Sequence, residues 1–164
     1  MKIGLLSDTH GFVDQRIFEY FKHVDEIWHA GDIGNLDVIK QLSDFKPCRW
    51  VYGNIDGTSI REVTPEFNRF QCGEKEILIT HIAGRPDRYS KPLFEELTKN
   101  GSPDVLVCGH SHILLVKMDK RFKMLWMNPG ACGKVGFHKV NTVLRFEING
   151  DKIEHLEVIE WERK

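Results

Sequence analysis

Seven side chains able to bind metal stand at the ends of five apolar runs. Asp8 and His10 close IGLLS, Asp32 closes EIWHAG, Asn54 follows WVYG, His81 follows ILIT, and His110 and His112 follow DVLVCG. A largely parallel sheet gathers the ends of its strands, so residues distant in sequence can converge on one site. Carboxylates, imidazoles and one amide oxygen suit borderline first-row divalent ions (Mn, Fe, Co, Ni or Zn), and the set is too rich in nitrogen for Ca or Mg. The absence of a thiolate cluster argues against a structural zinc. Two such ions about 3.5–4 Å apart can share a carboxylate and a water, which then loses a proton near neutral pH and attacks a phosphoryl group. The residues therefore look like a dinuclear metal centre.

Taken singly, each segment has an ordinary reading: a capping Asp with a surface His, a Gly-Asp or Gly-Asn turn, a hydrogen-bonded His at a strand end. The run Gly109-His110-Ser111-His112 is the most pointed, because residues two apart in an extended segment face the same way. The weight lies in the joint occurrence, in order, each at the end of a strand.

Elements able to position these residues are legible. The pattern predicts strands at 3–7, 26–30 and 48–52. Helices at 14–23 and 35–44 alternate with them, with Asn35 as an N-cap and Leu36, Ile39 and Leu42 facing inward. This βαβαβ order implies right-handed crossovers and parallel pairing. The second half is richer in strand: 67–72 and 76–80 form a hairpin around Gly73, 91–99 is a helix with Pro92 in its first turn, and 104–108 is a strand. ILLVKMD and RFKMLWMN are two further β runs. The last two strands turn at Asn149-Gly150, a type I′ signal. About ten strands and three helices are too much strand for one covered sheet. Two stacked sheets with helices on the outer faces fit better.

A chain of 164 residues with 41% apolar content is about one domain (1–164) and buries a core without staples. Net charge is −1, with 23 basic and 24 acidic residues spread evenly, so dedicated nucleic-acid binding is not expected. No apolar run is long enough to span a membrane, and Asp8 and His10 interrupt any signal peptide. Four cysteines without a CxxC pair read as small apolar residues in a reducing, cytoplasmic setting.

The order DTH (8–10), GD (31–32), GN (53–54), His81 and GHSH (109–112), followed by NPGA (128–131), resembles the calcineurin-like metallophosphoesterases, in particular their small bacterial and archaeal phosphodiesterase branch. That branch shares its fold with the small retromer subunit. The resemblance implies a four-layer αββα sandwich of two mixed sheets. It implies that Asp8, His10 and His112 hold one metal, that Asn54, His81 and His110 hold a second, and that Asp32 bridges them. Asn54, His81 and Asp32 would also serve catalysis. Two divalent ions, Mn first and otherwise Ni, Fe, Zn or Co, would be the cofactor. The implied activity is hydrolysis of a small or nucleotide-like phosphodiester by a hydroxide shared between the metals. A phosphomonoesterase, or an inactive protein-binding scaffold, is the alternative. One departure matters: larger relatives carry GNH, and that His serves the leaving group, whereas here Ile55 follows Asn54. Good leaving groups should therefore be preferred. Asp56 could assist or could be a turn residue.

Other candidates are softer. His29 reads as a buried, hydrogen-bonded residue. Arg85 and Arg88 could meet a second phosphate-linked group or lie in a solvated loop, and Lys134 and His138 could touch substrate or lie in a solvated loop. The four Trp residues read as core or interface, and exposed β-edges leave a homo-oligomer open.

Overall fold

The computed structural model describes residues 1–163. Its first half is the expected alternation: β1 (Lys2–Leu6), α1 (Arg16–Tyr20), β2 (Glu26–His29), α2 (Leu36–Phe45) and β3 (Cys48–Trp50), followed by a short α3 (Thr58–Arg61). β4 (Phe67–Cys72) and β5 (Lys75–Thr80) form the hairpin at Gly73. A small hairpin of β6 (Gly84–Arg85) and β7 (Arg88–Tyr89) precedes α4 (Lys91–Asn100). The remainder is β8 (Val105–Val107), β9 (Leu114–Met118), β10 (Leu125–Pro129), β11 (Val140–Asn149) and β12 (Lys152–Glu162).

The strands make two five-stranded mixed sheets, ordered β12-β11-β1-β2-β3 and β4-β5-β8-β10-β9. In the first, β1, β2 and β3 pair in parallel and β11 joins β1 antiparallel. In the second, β5, β8 and β10 are parallel, with β4 and β9 antiparallel at the edges.

Side-chain alternation splits the apolar residues of each strand between two layers. Ile3, Leu5, Trp28, Leu144 and Phe146 of one sheet meet Ile77, Ile79, Val105, Val107 and Met127 of the other in a central core. The opposite faces of the first sheet, through Leu6, Ile27 and Val143, pack on Ile17, Phe21, Val38 and Leu42 from α1, α2 and the turn after α1. Leu78, Leu106 and Trp126 of the second pack on Leu93 and Leu97 of α4. The result is the αββα order of layers.

Three details differ from the sequence reading. The first helix is five residues rather than ten, ending in turns around Phe21. Leu36 is 47% exposed, and Val38 with Leu42 carries the buried stripe of α2, whose N-cap is indeed Asn35 accepting from Val38 N at 3.1 Å. The last hairpin turns at Gly150-Asp151, because Asn149 pairs with Lys152. Only Gly150 has positive φ there (60°), which fits a type II′ turn, where a type I′ turn would need two such residues. All four cysteines are free, and no helix among the described residues is long and apolar enough to cross a membrane.

Candidate metal centre

The ends of β1, β2, β5 and β8 lie side by side and are tied by backbone hydrogen bonds. Asp8 N donates to Gly31 O at 3.0 Å, His10 N to Asp32 O at 3.0 Å, and Gly109 N to His81 O at 3.1 Å. The backbone turns abruptly at these ends. Asp8, His10, Asp32, His110 and His112 all have positive φ, between 49° and 66°. Asp and His tolerate this region better than most residues, yet each instance stores strain of order 1–3 kcal/mol, as is common where a site demands a particular side-chain direction. Glycines make room: a Cβ on Gly53 would sit 2.0 Å from Asp32 Oδ1, and one on Gly109 would sit 2.0 Å from Ser7 Oγ and 2.9 Å from Asp8 Oδ2.

Two groups result, Asp8 with His10 and His112, and Asp8 with Asp32 and His81, each with its donor atoms within 4.8 Å of one another. His112 Nε2 lies 3.1 Å from Asp8 Oδ1 and 3.4 Å from His10 Nε2. The two oxygens of Asp32 divide between the groups: Oδ1 is 3.2 Å from His81 Nε2, and Oδ2 is 3.7 Å from His10 Nε2. His110 stacks edge-on against His81 with ring centroids 5.3 Å apart, and its backbone N–H donates to Asp8 Oδ2 at 3.2 Å. Asn54 is exposed and lines the same cleft as His81. Asp8, His10, Asp32, His81 and His112 fall in these two groups, while His110 stacks beside His81 and Asn54 shares its cleft.

Electrostatics show what the arrangement is missing. Asp8 Oδ1 and His81 Nε2 are buried and lack a hydrogen-bond partner. His81 Nδ1 lies 2.7 Å from Ala30 O, so it carries the proton and donates. In the neutral ring, Nε2 then aims a lone pair at the carboxylates of Asp32 and Asp8. A positive charge belongs between them. Burial pulls the His81 pKa down, but the nearby Asp32 carboxylate, 3.2 Å from Nε2, and the charge of Asp8 outweigh it and raise it. Burial likewise pushes Asp32 up, yet His81, the Ile55 N–H and His10 hold it below the usual carboxylate range. His10 and His110 are lowered, first by burial and then by neighbouring imidazoles, which the nearby carboxylates only partly offset. The lowered His10 and His110 imidazoles, the lowered Asp32 carboxyl and the unpartnered buried donor atoms fit divalent cations.

Supporting residues emerge that the sequence reading had passed over or weighed differently. Asp56 is buried and accepts from Ile33 N (3.0 Å), Gly34 N (2.7 Å) and Gly53 N (2.7 Å). It clamps the Asn54 loop to the Asp32 loop, so of its two readings the structural one holds. His29 is fully buried, as expected. Its Nδ1 accepts from Gly31 N at 3.1 Å, which leaves Nε2 to donate to Thr9 Oγ1 at 2.9 Å; Thr9 donates to Ile33 O at 3.0 Å. Asn128 of the NPGA loop donates to Gly109 O at 2.8 Å and Ser111 Oγ at 3.1 Å, bracing the His110–His112 turn. Burial beside a ligand-bearing loop was the missing signal, and no local pattern carries it. Lys134 sits 4.1 Å over the Phe12 ring, while His138 is exposed.

Residues 1–151 match the calcineurin-like phosphoesterase superfamily domain. The chain belongs to that superfamily. A probable metallophosphoesterase of Methanothermobacter thermautotrophicus is 28% identical over 159 residues, covering 94% of this chain and 90% of the relative. A phosphodiesterase of Methanocaldococcus jannaschii is 27% identical over 148 residues, covering 80% of this chain and 84% of its own. Among solved structures, Vps29 from Chaetomium thermophilum superposes with a TM-score of 0.76 at 14% identity over the whole of both chains, a likeness of fold. Members of the superfamily are divalent-metal phosphoesterases, which accounts for the paired groups around Asp8 and Asp32.

Proposed function

We propose that this protein is a phosphodiesterase using two divalent ions, Mn first, to hydrolyse a small or nucleotide-like phosphodiester. The observation that carries the reading is the pair of buried carboxylates, Asp8 and Asp32, ringed by imidazoles, with Asp8 Oδ1 and His81 Nε2 left without partners. Asp8, His10 and His112 would hold one ion, His81, His110 and Asn54 the other, and Asp32 both. When bound, the ions supply an acidified water and neutralise phosphoryl charge.

The chain's own residues set the geometry and the limits of the reaction. Ala30 O fixes the His81 ring so that Nε2 faces the Asp8 and Asp32 carboxylates. The Ile55 N–H holds Asp32 Oδ1 at 3.1 Å, and Asp56 keeps the Asn54 loop against it. Ile55 itself is 47% exposed beside the site and has no proton to give. The Asp56 carboxylate is occupied by three backbone N–H groups. No group on this loop protonates a departing alkoxide, so the enzyme favours leaving groups that depart as stable anions.

The even charge balance favours a small substrate over long nucleic acid. The fold likeness to Vps29 raises a second reading, a scaffold without catalysis; the complete donor set weighs against it. With Mn-loaded protein, bis(p-nitrophenyl) phosphate should be hydrolysed faster than p-nitrophenyl phosphate. The reverse order would make the protein a monoesterase, and turnover of neither would leave the scaffold.

A further inference from the structure

The segment after His81 does not run directly into α4 but first forms the β6–β7 hairpin. Its base is pinned: Ser90 N donates to Ala83 O at 2.9 Å and Ser90 Oγ to Ile82 O at 2.7 Å. Tyr89 anchors it to the outer core, donating to buried Asp119 at 2.7 Å and packing on Phe122 and Trp126. A hairpin held this firmly is a rigid platform rather than a loose loop.

The platform carries an unusual pair. Arg85 and Arg88 are direct cross-strand partners, so they share a face, and both are exposed. Like charges placed opposite one another are destabilising unless a counter-charge lies between them. Elsewhere in the chain Arg16, Arg49, Arg69 and Arg145 are each committed to a carboxylate. Among the described residues, no carboxylate lies within ion-pairing distance of Arg85 or Arg88, although Asp87 stands between them in sequence.

The space beside the pair leads to the metal loop. A cleft of about 440 Å³ is lined by Arg85 and Arg88 and also by Ser111, the residue between His110 and His112. Ile113 and Leu115 line it as well. A second cleft, sharing Arg85, Arg88 and Leu115, is also lined by Lys117 and by Asp87, whose carboxylate lies beyond ion-pairing distance of either arginine. Ile113, Leu115 and Lys117 alternate along β9 and its leading residue, so one face offers two apolar side chains and then a cation. Ile113 is 56% exposed, an apolar surface with nothing on it.

We propose that this cleft is a second substrate subsite that takes a terminal phosphate group between Arg85 and Arg88. The body joining that phosphate to the scissile diester lies on Ile113 and Leu115. The inference rests on the phosphodiesterase reading and narrows its substrate class to phosphodiesters carrying a further terminal phosphate, such as short 5′-phosphorylated oligonucleotides. Paired guanidinium groups suit a phosphate because each presents a planar fork of donors to its oxygens.

The test compares a thymidine dinucleotide bearing a 5′-terminal phosphate with the same dinucleotide lacking it. Binding is measured by calorimetry at low salt in EDTA, where no turnover occurs. The wild type should bind the phosphorylated form about tenfold more tightly or better. R85A/R88A should bring the ratio close to unity, while K91A/K99A, which removes equal charge from α4, leaves it unchanged. With Mn, R85A/R88A should lose the same preference through KM and keep its turnover of bis(p-nitrophenyl) phosphate. Equal binding of the two dinucleotides by the wild type would overturn the proposal. So would a preference that survives in R85A/R88A, an equal loss in K91A/K99A, or a fall in bis(p-nitrophenyl) phosphate turnover in R85A/R88A. A binding preference that stands while no ester is hydrolysed supports the subsite and refutes the phosphodiesterase reading, so the two fail separately.

Discussion

Asp32→Ala separates what the centre does for stability from what it does for chemistry. The Asp32 carboxylate accepts from Ile55 N at 3.1 Å and lies 3.2 Å from His81 Nε2 and 3.7 Å from His10 Nε2, almost entirely buried. Without metal, the variant loses one backbone hydrogen bond and its attraction to two imidazoles, but it also removes one of two neighbouring buried carboxylates. The net cost is therefore modest, about 1–2 kcal/mol. With metal, the difference is larger. An ion at a hundred times its Kd stabilises the folded chain by about 2.7 kcal/mol, so two ions contribute about 5 kcal/mol. For a domain of this size, that raises Tm by about 10–20 °C. A variant lacking Asp32, the proposed bridging ligand, should keep less than about a third of that shift. Turnover of bis(p-nitrophenyl) phosphate should fall about a thousandfold or more, since several kcal/mol of transition-state stabilisation go with the metals. Scanning calorimetry with and without Mn, with far-ultraviolet circular dichroism to verify the fold, reads both effects. An unchanged Mn-dependent shift together with turnover within tenfold of wild type would refute the assignment of Asp32.

Three other outcomes follow from the same geometry. Ile55→His should restore a proton donor beside the leaving group, raising turnover of alkyl diesters by up to about a hundredfold and of nitrophenyl diesters far less; equal gains on both would refute the role given to that position. Asp56→Ala leaves the N–H groups of Ile33, Gly34 and Gly53 without their acceptor and should cost about 3 kcal/mol or more, with weaker metal binding, in urea unfolding and metal titration; a loss under about 1 kcal/mol would contradict the clamp. Burial holds the His29 pKa down at about 3. Between that value and its ordinary value near 6.5, the unfolded chain takes up a proton that the folded chain refuses, so this stabilisation is complete above the upper value and is lost on acidification. Metal-free wild type should therefore lose about 1.4 kcal/mol more than His29→Gln between about pH 7.5 and 5.5. Equal losses in denaturant titrations would show that His29 does not titrate in this way.

The donor set was legible because each member ends an apolar run, and a run of alternating or continuous apolar residues marks a strand whatever the fold. The two-sheet architecture was legible for the same reason: Ile77, Leu78 and Ile79 are all apolar because one sheet face meets the other sheet and the opposite face meets α4. What stayed hidden depends on contacts remote in sequence. Asp56 looks like a turn acid until Ile33 and Gly34 are brought beside it. The first helix stops early because Phe21 turns into the core beneath Gly4, where a Cβ would meet its ring at 2.7 Å. The final turn slid by one residue because Asn149 is drawn into pairing with Lys152, a register that Asn-Gly propensity alone does not set.

In the proposed function, Asp8, Asp32 and the imidazoles around them would hold two divalent ions. Elemental analysis of protein purified without chelator and then equilibrated with Mn tests it most directly. The account predicts about two transition-metal ions per chain, falling to one or none in Asp32→Ala. Fewer than one ion per wild-type chain would contradict it.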